Sequence, residues 1–355
     1  MRISAARRWT VRLATLLTAT WLLLAPLTLS SISQAWAADT ATPVAPAISL
    51  DDNLKRIFSG GAPSGVTDLR AMQTHVQKLT DLLQKCTVGV AIRQAQGSGV
   101  IISKDGYVLT AAHVAQQPNL PVEFTLSDGR TVTGKTLGQN RTMDAGLLKI
   151  DDAGEYPFVE MGSSDALKEG QWCLATGHPG GYQSDRGVVL RLGRVLLTPN
   201  TDSKAITTDC TLVGGDSGGP LFDMEGHVIG INSRIAGALA ANMHVPVSTF
   251  KETWERLNKS EAWGHFPGSE PVLGVRGEEG STEAKVAHVF PKSPAESGGV
   301  KVGDIVLKFD GQEIKSFKQL KDAVFLHDAN DTITMTVKRG EDTHELKFKL
   351  GKQRD

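Results

Sequence analysis

The chain has 355 residues, 40% of them hydrophobic and 22% charged, with a net charge of −1. The length gives room for about two domains, the composition excludes a disordered or fibrous protein, and the near-zero charge leaves no footprint for nucleic acid. The three cysteines, Cys86, Cys173 and Cys210, are too few for a disulfide scaffold and stand in no CxxC or Cys/His cluster, so no metal or other cofactor is expected.

Arg2, Arg7, Arg8 and Arg12 precede an apolar run over 13–29, and Ala35-Trp36-Ala37 offers a small-x-small cleavage site. Residues 1–37 therefore read as a signal peptide. The competing reading is a retained membrane anchor, because the run approaches spanning length. On either reading the working domains are exported, periplasmic or extracellular. Residues 38–65, rich at first in Ala, Thr and Pro, read as a flexible tether. From 66 to 84, Leu69, Met72, Val76, Leu79 and Leu83 recur at spacings of three and four, which predicts a helix packed on the first barrel of the domain after it.

Short apolar runs then occupy 87–92, 100–103, 107–111, 122–126, 131–135, 147–150, 172–176, 188–197, 205–212, 228–233 and 243–247. Ser127-Asp128-Gly129-Arg130 and Asp223-Met224-Glu225-Gly226 read as hairpin turns. Many short strands with regular turns mean a mainly β sandwich or barrels.

Three stretches in this region carry chemistry. Thr110-Ala111-Ala112-His113 ends an apolar strand, and Asp144 opens the run Leu147-Leu148-Lys149-Ile150. Gly214-Gly215-Asp216-Ser217-Gly218-Gly219-Pro220 brackets a serine with glycines, a backbone free enough to turn its N–H groups inward. A serine hydroxyl needs a base to take its proton, and the base needs a third group to hold its tautomer. Acyl transfer also needs N–H donors facing the oxyanion that develops. Singly, each stretch has a plain explanation: a capped turn, a core or surface histidine, a turn-forming aspartate. In the order His, Asp, Ser they point together to nucleophilic catalysis by Ser217, with the N–H groups of Gly215 and Ser217 as oxyanion hole. Gly215-x-Ser217-x-Gly219 also fits the α/β-hydrolase elbow, but that fold runs Ser, Asp/Glu, His along the chain, and the order here excludes it.

These stretches resemble the triad segments of chymotrypsin-fold serine proteases. Gly97-Ser98-Gly99-Val100-Ile101-Ile102 and Gly177-His178-Pro179-Gly180-Gly181 narrow the resemblance to the HtrA/Deg branch, from about Cys86 onward. It implies a chymotrypsin-like double β-barrel with the site in the cleft between barrels. His113 as general base and Asp144 as its orienting group come from the first barrel, and Ser217 from the second. It also implies a homotrimer built through N-terminal segments, although 66–84 does not visibly match the family's trimer segment. Where a trypsin-type pocket has Asp, six residues before the nucleophile, stands Thr211. With Leu212 and, by resemblance, Ser233 and Ile235, it would make a modest pocket without a buried anion, expected to take Val, Ala, Ile or Leu. Asp209 should point elsewhere, and Arg234 should reach the cleft and favour an acidic neighbour.

The chain departs from the family pattern in two places. Asp216 stands where HtrA proteins usually have Asn, and a carboxylate beside an oxyanion hole needs a cation. Arg186 is the expected partner. Ala145 and Gly146 are smaller than usual, and looser packing is expected around them.

Ser248 is expected to cap a helix with Phe250, Trp254 and Leu257 on one face, completing a protease domain over 66–257. Residues 258–271, with two prolines and two glycines, read as a hinge-like linker. Over 272–351, Ser293-Pro294-Ala295, Gly303-Asp304-Ile305-Val306 and Asp310-Gly311 resemble a PDZ domain of the HtrA type. Val272-Leu273-Gly274-Val275 falls where such domains receive a C-terminal carboxylate while the peptide adds as a strand. A helix from Ser316, with Phe317, Leu320 and Val324, would wall that groove; a PDZ that only packs on the protease is the alternative. The resemblance as a whole implies an ATP-independent serine endopeptidase of protein quality control. Its substrates would be exported unfolded, misfolded or tagged polypeptides, its regulators peptide C-termini, and the absence of a phosphate-binding motif agrees. A reading from another class is a latent protease fold serving as a holdase or peptide-binding protein.

Overall fold

The short runs become strands of two closed barrels in the computed structural model, which describes residues 48–200, 203–235 and 241–352. The signal-peptide reading lies outside the described residues. The first barrel comprises β1 (Thr87–Ile92), β2 (Ala95–Ile101), β3 (Tyr107–Ala111), β4 (Pro121–Thr125), β5 (Thr131–Asn140) and β6 (Ala145–Ile150). Its order is β5-β4-β1-β2-β3-β6, and β5 pairs with β6 to close it. Val88, Val90, Val108, Phe124 and Leu148 fill its interior. Gly97 and Gly99 lie within β2, which begins ahead of the run expected from Val100. A Cβ at Gly99 would stand 2.7 Å from Val108 Cγ1, so only glycine lets the neighbouring strand approach.

The second barrel comprises β7 (Trp172–Gly177), β8 (Val189–Leu197), β9 (Ile206–Thr208), β10 (Pro220–Phe222), β11 (Val228–Ile235) and β12 (Asn242–Pro246), closed in the order β10-β11-β12-β9-β8-β7. Closure leaves neither barrel an open edge. Strand β10 is not among the runs expected from the sequence, being three residues long and directly after a glycine-rich turn. Strand β9 ends earlier than expected. Past Thr208 the side chain of Asp209 turns to the N–H of Arg194 at 2.5 Å, and the chain leaves the ladder.

The stretch expected as a tether contains a helix, α1 (Asp52–Phe58), capped by Asp51, whose carboxylate accepts from Leu54 N at 2.8 Å. It buries Leu54, Ile57 and Phe58 against the domain core. The next helix, α2 (Val66–Cys86), packs Met72, Leu79 and Leu83 into a core shared with Phe222, Met224 and Val228 of the second barrel and Leu137 and Leu147 of the first. His75 Nε2 also meets Met224 O at 2.6 Å. The helix thus straddles the seam instead of resting on the first barrel alone. After β3 comes a single turn, α3 (Ala112–Ala115), and after β12 comes α4 (Val247–Asn258). Ser248 does not cap α4. It lies inside the first turn, and its own N–H donates to Ser164 Oγ at 3.1 Å.

The following segment is docked, contrary to the hinge expected there. Its β13 (Ala262–Trp263) pairs in parallel with Gln139 and Asn140 of β5. The Arg256 guanidinium covers the Trp263 ring at 3.9 Å.

Beyond it lies the second domain: β14 (Pro271–Val272), β15 (Val275–Gly277), β16 (Val286–Val289), α5 (Pro294–Ser297), β17 (Ile305–Phe309), β18 (Gln312–Glu313), α6 (Phe317–Phe325), β19 (Thr332–Arg339), β20 (Asp342–Lys349) and β21 (Gly351–Lys352). A sheet β18-β17-β19-β20 and the pairs β15-β16 and β14-β21 wrap a core of Phe309, Ile333, Met335 and Val337. Ser316 caps α6 by accepting from Gln319 N at 3.2 Å, and Leu320, Ala323 and Val324 close the core. Among the described residues no helix is long and apolar enough to cross a membrane.

Candidate active site

His113 sits in the turn α3, and Asp144 immediately precedes β6, which pairs with β3. Asp144 has φ +63°, a left-handed conformation that Asp tolerates better than most residues. There its backbone carbonyl accepts from Ala112 N at 2.9 Å and its carboxylate turns back onto the next residue. Asp144 Oδ1 accepts from His113 N at 2.9 Å, and Oδ2 accepts from His113 Nδ1 at 2.9 Å. Ser233 Oγ, from the second barrel, donates to Oδ2 at 2.5 Å. Backbone, ring and hydroxyl together fix the carboxylate, and the Asp144 side chain is 7% exposed. Ala145 and Gly146 do not loosen this region. Ala145 is fully buried, and a Cβ at Gly146 would already stand 3.0 Å from Ala115 Cβ, so small residues are what let α3 sit on β6.

Ser217 comes from the turn between Val213 and Pro220, and its hydroxyl donates to Ser233 O at 3.2 Å. Ser98 of β2 ties this turn to the first barrel. Its N–H donates to Ser217 O at 2.8 Å, its Oγ donates to Gly215 O at 2.8 Å, and the same Oγ accepts from His178 N at 2.9 Å. Gly215 has φ +96° and lies so close to the segment after β7 that a Cβ would stand 2.4 Å from His178 O. Among the described residues neither Gly215 N nor Ser217 N donates to a protein acceptor. Both N–H groups are therefore available to an oxygen beside Ser217. His178 itself is fully buried, and burial, followed by the charge of Arg186, pushes its pKa down to about 4.

Asp216 is completely buried, and its partner is Arg191 of β8, not Arg186. Arg191 meets Asp216 with two nitrogens, Nη2 to Oδ2 at 2.9 Å and Nη1 to Oδ1 at 3.2 Å. Arg186 instead turns to the carbonyls of Pro179 and Gly181 within its own loop. Burial pushes the Asp216 carboxyl up, and the Val213 N–H and Arg191 pull it back only in part. Asn232 completes the support. Its Nδ2 donates to Thr176 O at 2.9 Å and Asp216 O at 3.2 Å, and its Oδ1 faces His244 Nδ1 at 3.0 Å. Arg191 carried no signal as a functional residue, and Ser98 was legible only as part of the Gly97-Ser98-Gly99 stretch, with no role assigned. A polar side chain inside an apolar strand run, as Arg191 is between Leu190 and Leu192, is the pattern to look for.

The expected substrate pocket is not gathered as one. Thr211 is exposed, Leu212 packs in the second barrel's core, Ile235 is 45% exposed, and Ser233 spends its hydroxyl on Asp144. Of these four, Ser233 lines a cavity of about 390 Å³ beside the site, with Thr142, Met143, Lys204, Arg234 and Met243. The second domain holds a groove of about 1160 Å³ lined by Val272, Leu273, Gly274 and Val275 on one side and Phe317, Leu320 and Val324 on the other. Gly274 has φ +82°, and a Cβ there would collide with Ser293 Cβ at 2.3 Å. Among the described residues the N–H groups of Leu273 and Gly274 have no protein acceptor.

Known proteins share both parts. A family model described as a trypsin-like peptidase domain matches residues 97–231, and one described as a PDZ domain matches 271–350. A probable periplasmic serine endoprotease DegP-like of Marinomonas sp. is 37% identical over 269 residues, 70% of this chain and 55% of that protein. The chain thus spans about half the length of that relative. A putative serine protease HhoB of Synechocystis sp. is 31% identical over 284 residues, 73% of this chain and 67% of that protein. A solved serine endoprotease from Yersinia pestis is 23% identical with a TM-score of 0.48, covering 78% of this chain and 98% of that one. With a peptidase domain, a PDZ domain and a relative matched over 67% of its length, this chain belongs to the HtrA-type serine proteases with a PDZ domain.

Proposed function

We propose that the chain is an ATP-independent serine endopeptidase that hydrolyses exported unfolded, misfolded or tagged proteins and is regulated by peptide C-termini. The observation that carries this reading is a chain of contacts between the barrels. Asp144, which holds His113, accepts from Ser233 Oγ of the second barrel, and Ser217 donates to the carbonyl of that same Ser233, beside two uncommitted N–H groups. In the mechanism, Ser217 Oγ rotates off the Ser233 carbonyl toward His113 Nε2, which takes its proton as Oγ attacks the peptide carbonyl carbon. The oxyanion accepts from Gly215 N and Ser217 N. His113 then returns the proton to the leaving amine, and water, deprotonated by the same ring, releases the acyl group. Asp144 keeps the Nδ1–H pointed away from the reaction, so that Nε2 is the nitrogen free to act. By the resemblance, the side chain before the scissile bond would be small or branched and apolar, since Thr211 holds the place of a trypsin-type Asp.

The groove of the second domain would take a peptide C-terminus, its carboxylate on the N–H groups of Leu273 and Gly274 and its last side chain between Leu320 and Val324. Relatives named as periplasmic and the signal-like first segment support an exported location. In a homotrimer, the exposed apolar side chains Val66 and Leu69 at the start of α2 are where chains would meet, an assembly that sedimentation would read. One observation favours the latent holdase: Ser217 rests on the Ser233 carbonyl and makes no hydrogen bond to His113. A fluorophosphonate probe decides between the two. The folded full chain should label at Ser217, and absence of labelling would replace the endopeptidase with the holdase.

A further inference from the structure

Asp216 stands between the two residues whose N–H groups are proposed to hold the oxyanion, and it is completely buried. A negative charge there opposes the charge that develops in the reaction and carries the full penalty of an unpaired buried ion unless a cation meets it. The backbone of Asp216 is also the centre of the turn. Its N–H donates to Val213 O at 3.1 Å, and its carbonyl accepts from Gly219 N at 3.0 Å as well as from Asn232. Its Oδ2 accepts from Val213 N at 2.9 Å. Where the carboxylate points therefore decides how the peptides on either side of it are oriented.

Two features of the second barrel receive that carboxylate. Gly177, at the end of β7, leaves the space: a Cβ there would stand 2.6 Å from Asp216 Oδ1. Arg191, on the adjacent β8 and largely buried, supplies the charge through a fork-like, two-nitrogen contact. Because Arg191 is paired with Ala175 of β7 within a closed barrel, the guanidinium is carried by the sheet and not by a loop. Arg186 acts on Asp216 only from a distance, its own donors being engaged by Pro179 and Gly181.

We propose that Arg191 is a positioning residue of the oxyanion turn. By neutralising Asp216 it keeps the N–H groups of Gly215 and Ser217 directed at the reacting oxygen, and the cation comes from within the same barrel, so the turn needs no newly made chain terminus to form. The assignment rests on the serine-protease reading above and adds to it the residue that holds the oxyanion site.

The test is a double-mutant cycle in the full chain, read by steady-state hydrolysis of an unfolded fluorescent casein, by fluorophosphonate labelling and by thermal melting. Arg191→Met should lower kcat about 10- to 100-fold, less than the roughly 100- to 1000-fold for losing an oxyanion donor outright, with KM within about threefold, because ground-state binding is untouched. Arg191→Lys should recover part of that loss, keeping the charge without the fork. Adding Asp216→Asn to Arg191→Met removes the stranded charge and should bring kcat back to within about fivefold of wild type. An Arg191→Met enzyme with unchanged kcat, or a loss that Asp216→Asn does not relieve, overturns the assignment. Should Arg191→Met not fold, the double variant carries the test: folded with kcat near wild type supports the role, folded but as slow as Ser217→Ala overturns it, and a failure to fold overturns it too. Failure of the protease reading shows elsewhere, in a wild type that neither cleaves nor labels. That outcome overturns both, whereas an active wild type indifferent to Arg191 overturns only this inference.

Discussion

Gly218, directly after the proposed nucleophile, shows how little space the site leaves. It has φ +85°, and a Cβ would stand 2.1 Å from Thr110 Oγ1 and 2.2 Å from Ser98 O. Gly218→Ala is expected to cost more than about 2 kcal/mol and to abolish labelling at Ser217; a wild-type urea midpoint with labelling intact would contradict this packing. The buried histidines set the acid response. Burial depresses His178 from 6.5 to about 4 and His244 from 6.5 to about 3. Between those values and 6.5 the unfolded chain binds more protons than the folded one, so stability falls as pH drops through that window. Asp216, raised above 3.8, acts oppositely: its contribution is present at the lowest pH and is lost as pH rises through its folded value. His227, raised above 6.5 by its hydrogen bond to Asp223, opposes the two buried rings in the same window. Urea midpoints should still fall from pH 7 to pH 5, and a flat profile would mean that the two buried rings do not outweigh it. Single residues also mark where sequence reading stops. His113, Asp144 and Ser217 stand in motifs complete within a few neighbours, and so could be singled out from the sequence. Choosing Arg191 over Arg186 required knowing that Arg191 lies opposite Ala175 across β7 and β8, a register no local pattern contains.

Among the elements, α2 makes a measurable claim. Leu79 is 1% exposed and faces the turn at Gly226, with a shared core beneath. Leu79→Ala is expected to cost about 2–5 kcal/mol, read by urea unfolding of the whole domain; a change under about 0.5 kcal/mol, the size of an ordinary surface substitution, would make α2 peripheral. The helix was legible because its apolar spacing persists for about four turns of chain, from Leu69 to Leu83, and most barrel strands were legible because their runs are bounded by Gly, Asp and Pro. What escaped is short or dictated from outside. Strand β10 is only Pro220-Leu221-Phe222, too brief for a period. Strand β9 stops where Asp209 captures an N–H from β8. Helix α1 did carry a signal, Asp51 as cap with Leu54, Ile57 and Phe58 on one face, which the Pro-rich residues before it obscured.

At the scale of the whole molecule, the groove in the PDZ domain and the cleft between the barrels are joined through short contacts. His265, 8% exposed, meets Phe325 O at the end of α6 at 2.8 Å. The preceding Gly264 leaves so little room that a Cβ would stand 2.2 Å from Thr142 Oγ1, two residues before Asp144. If peptide binding biases the active arrangement, a free-carboxylate peptide should raise kcat/KM and its amide should not, since only differential affinity can shift an equilibrium. An equal response to both peptides would rule out carboxylate sensing. The docked β13 has a consequence of its own for where one domain ends. Gln139 N donates to Glu261 O at 2.8 Å and Arg141 N to Trp263 O at 2.9 Å. These two amides belong to the barrel, yet their shielding from water belongs to the segment beyond α4. In deuterium exchange they should stay protected in the intact chain and open at once in a chain cut before Glu261. Their exchange rate thus times how often the strand peels away from β5.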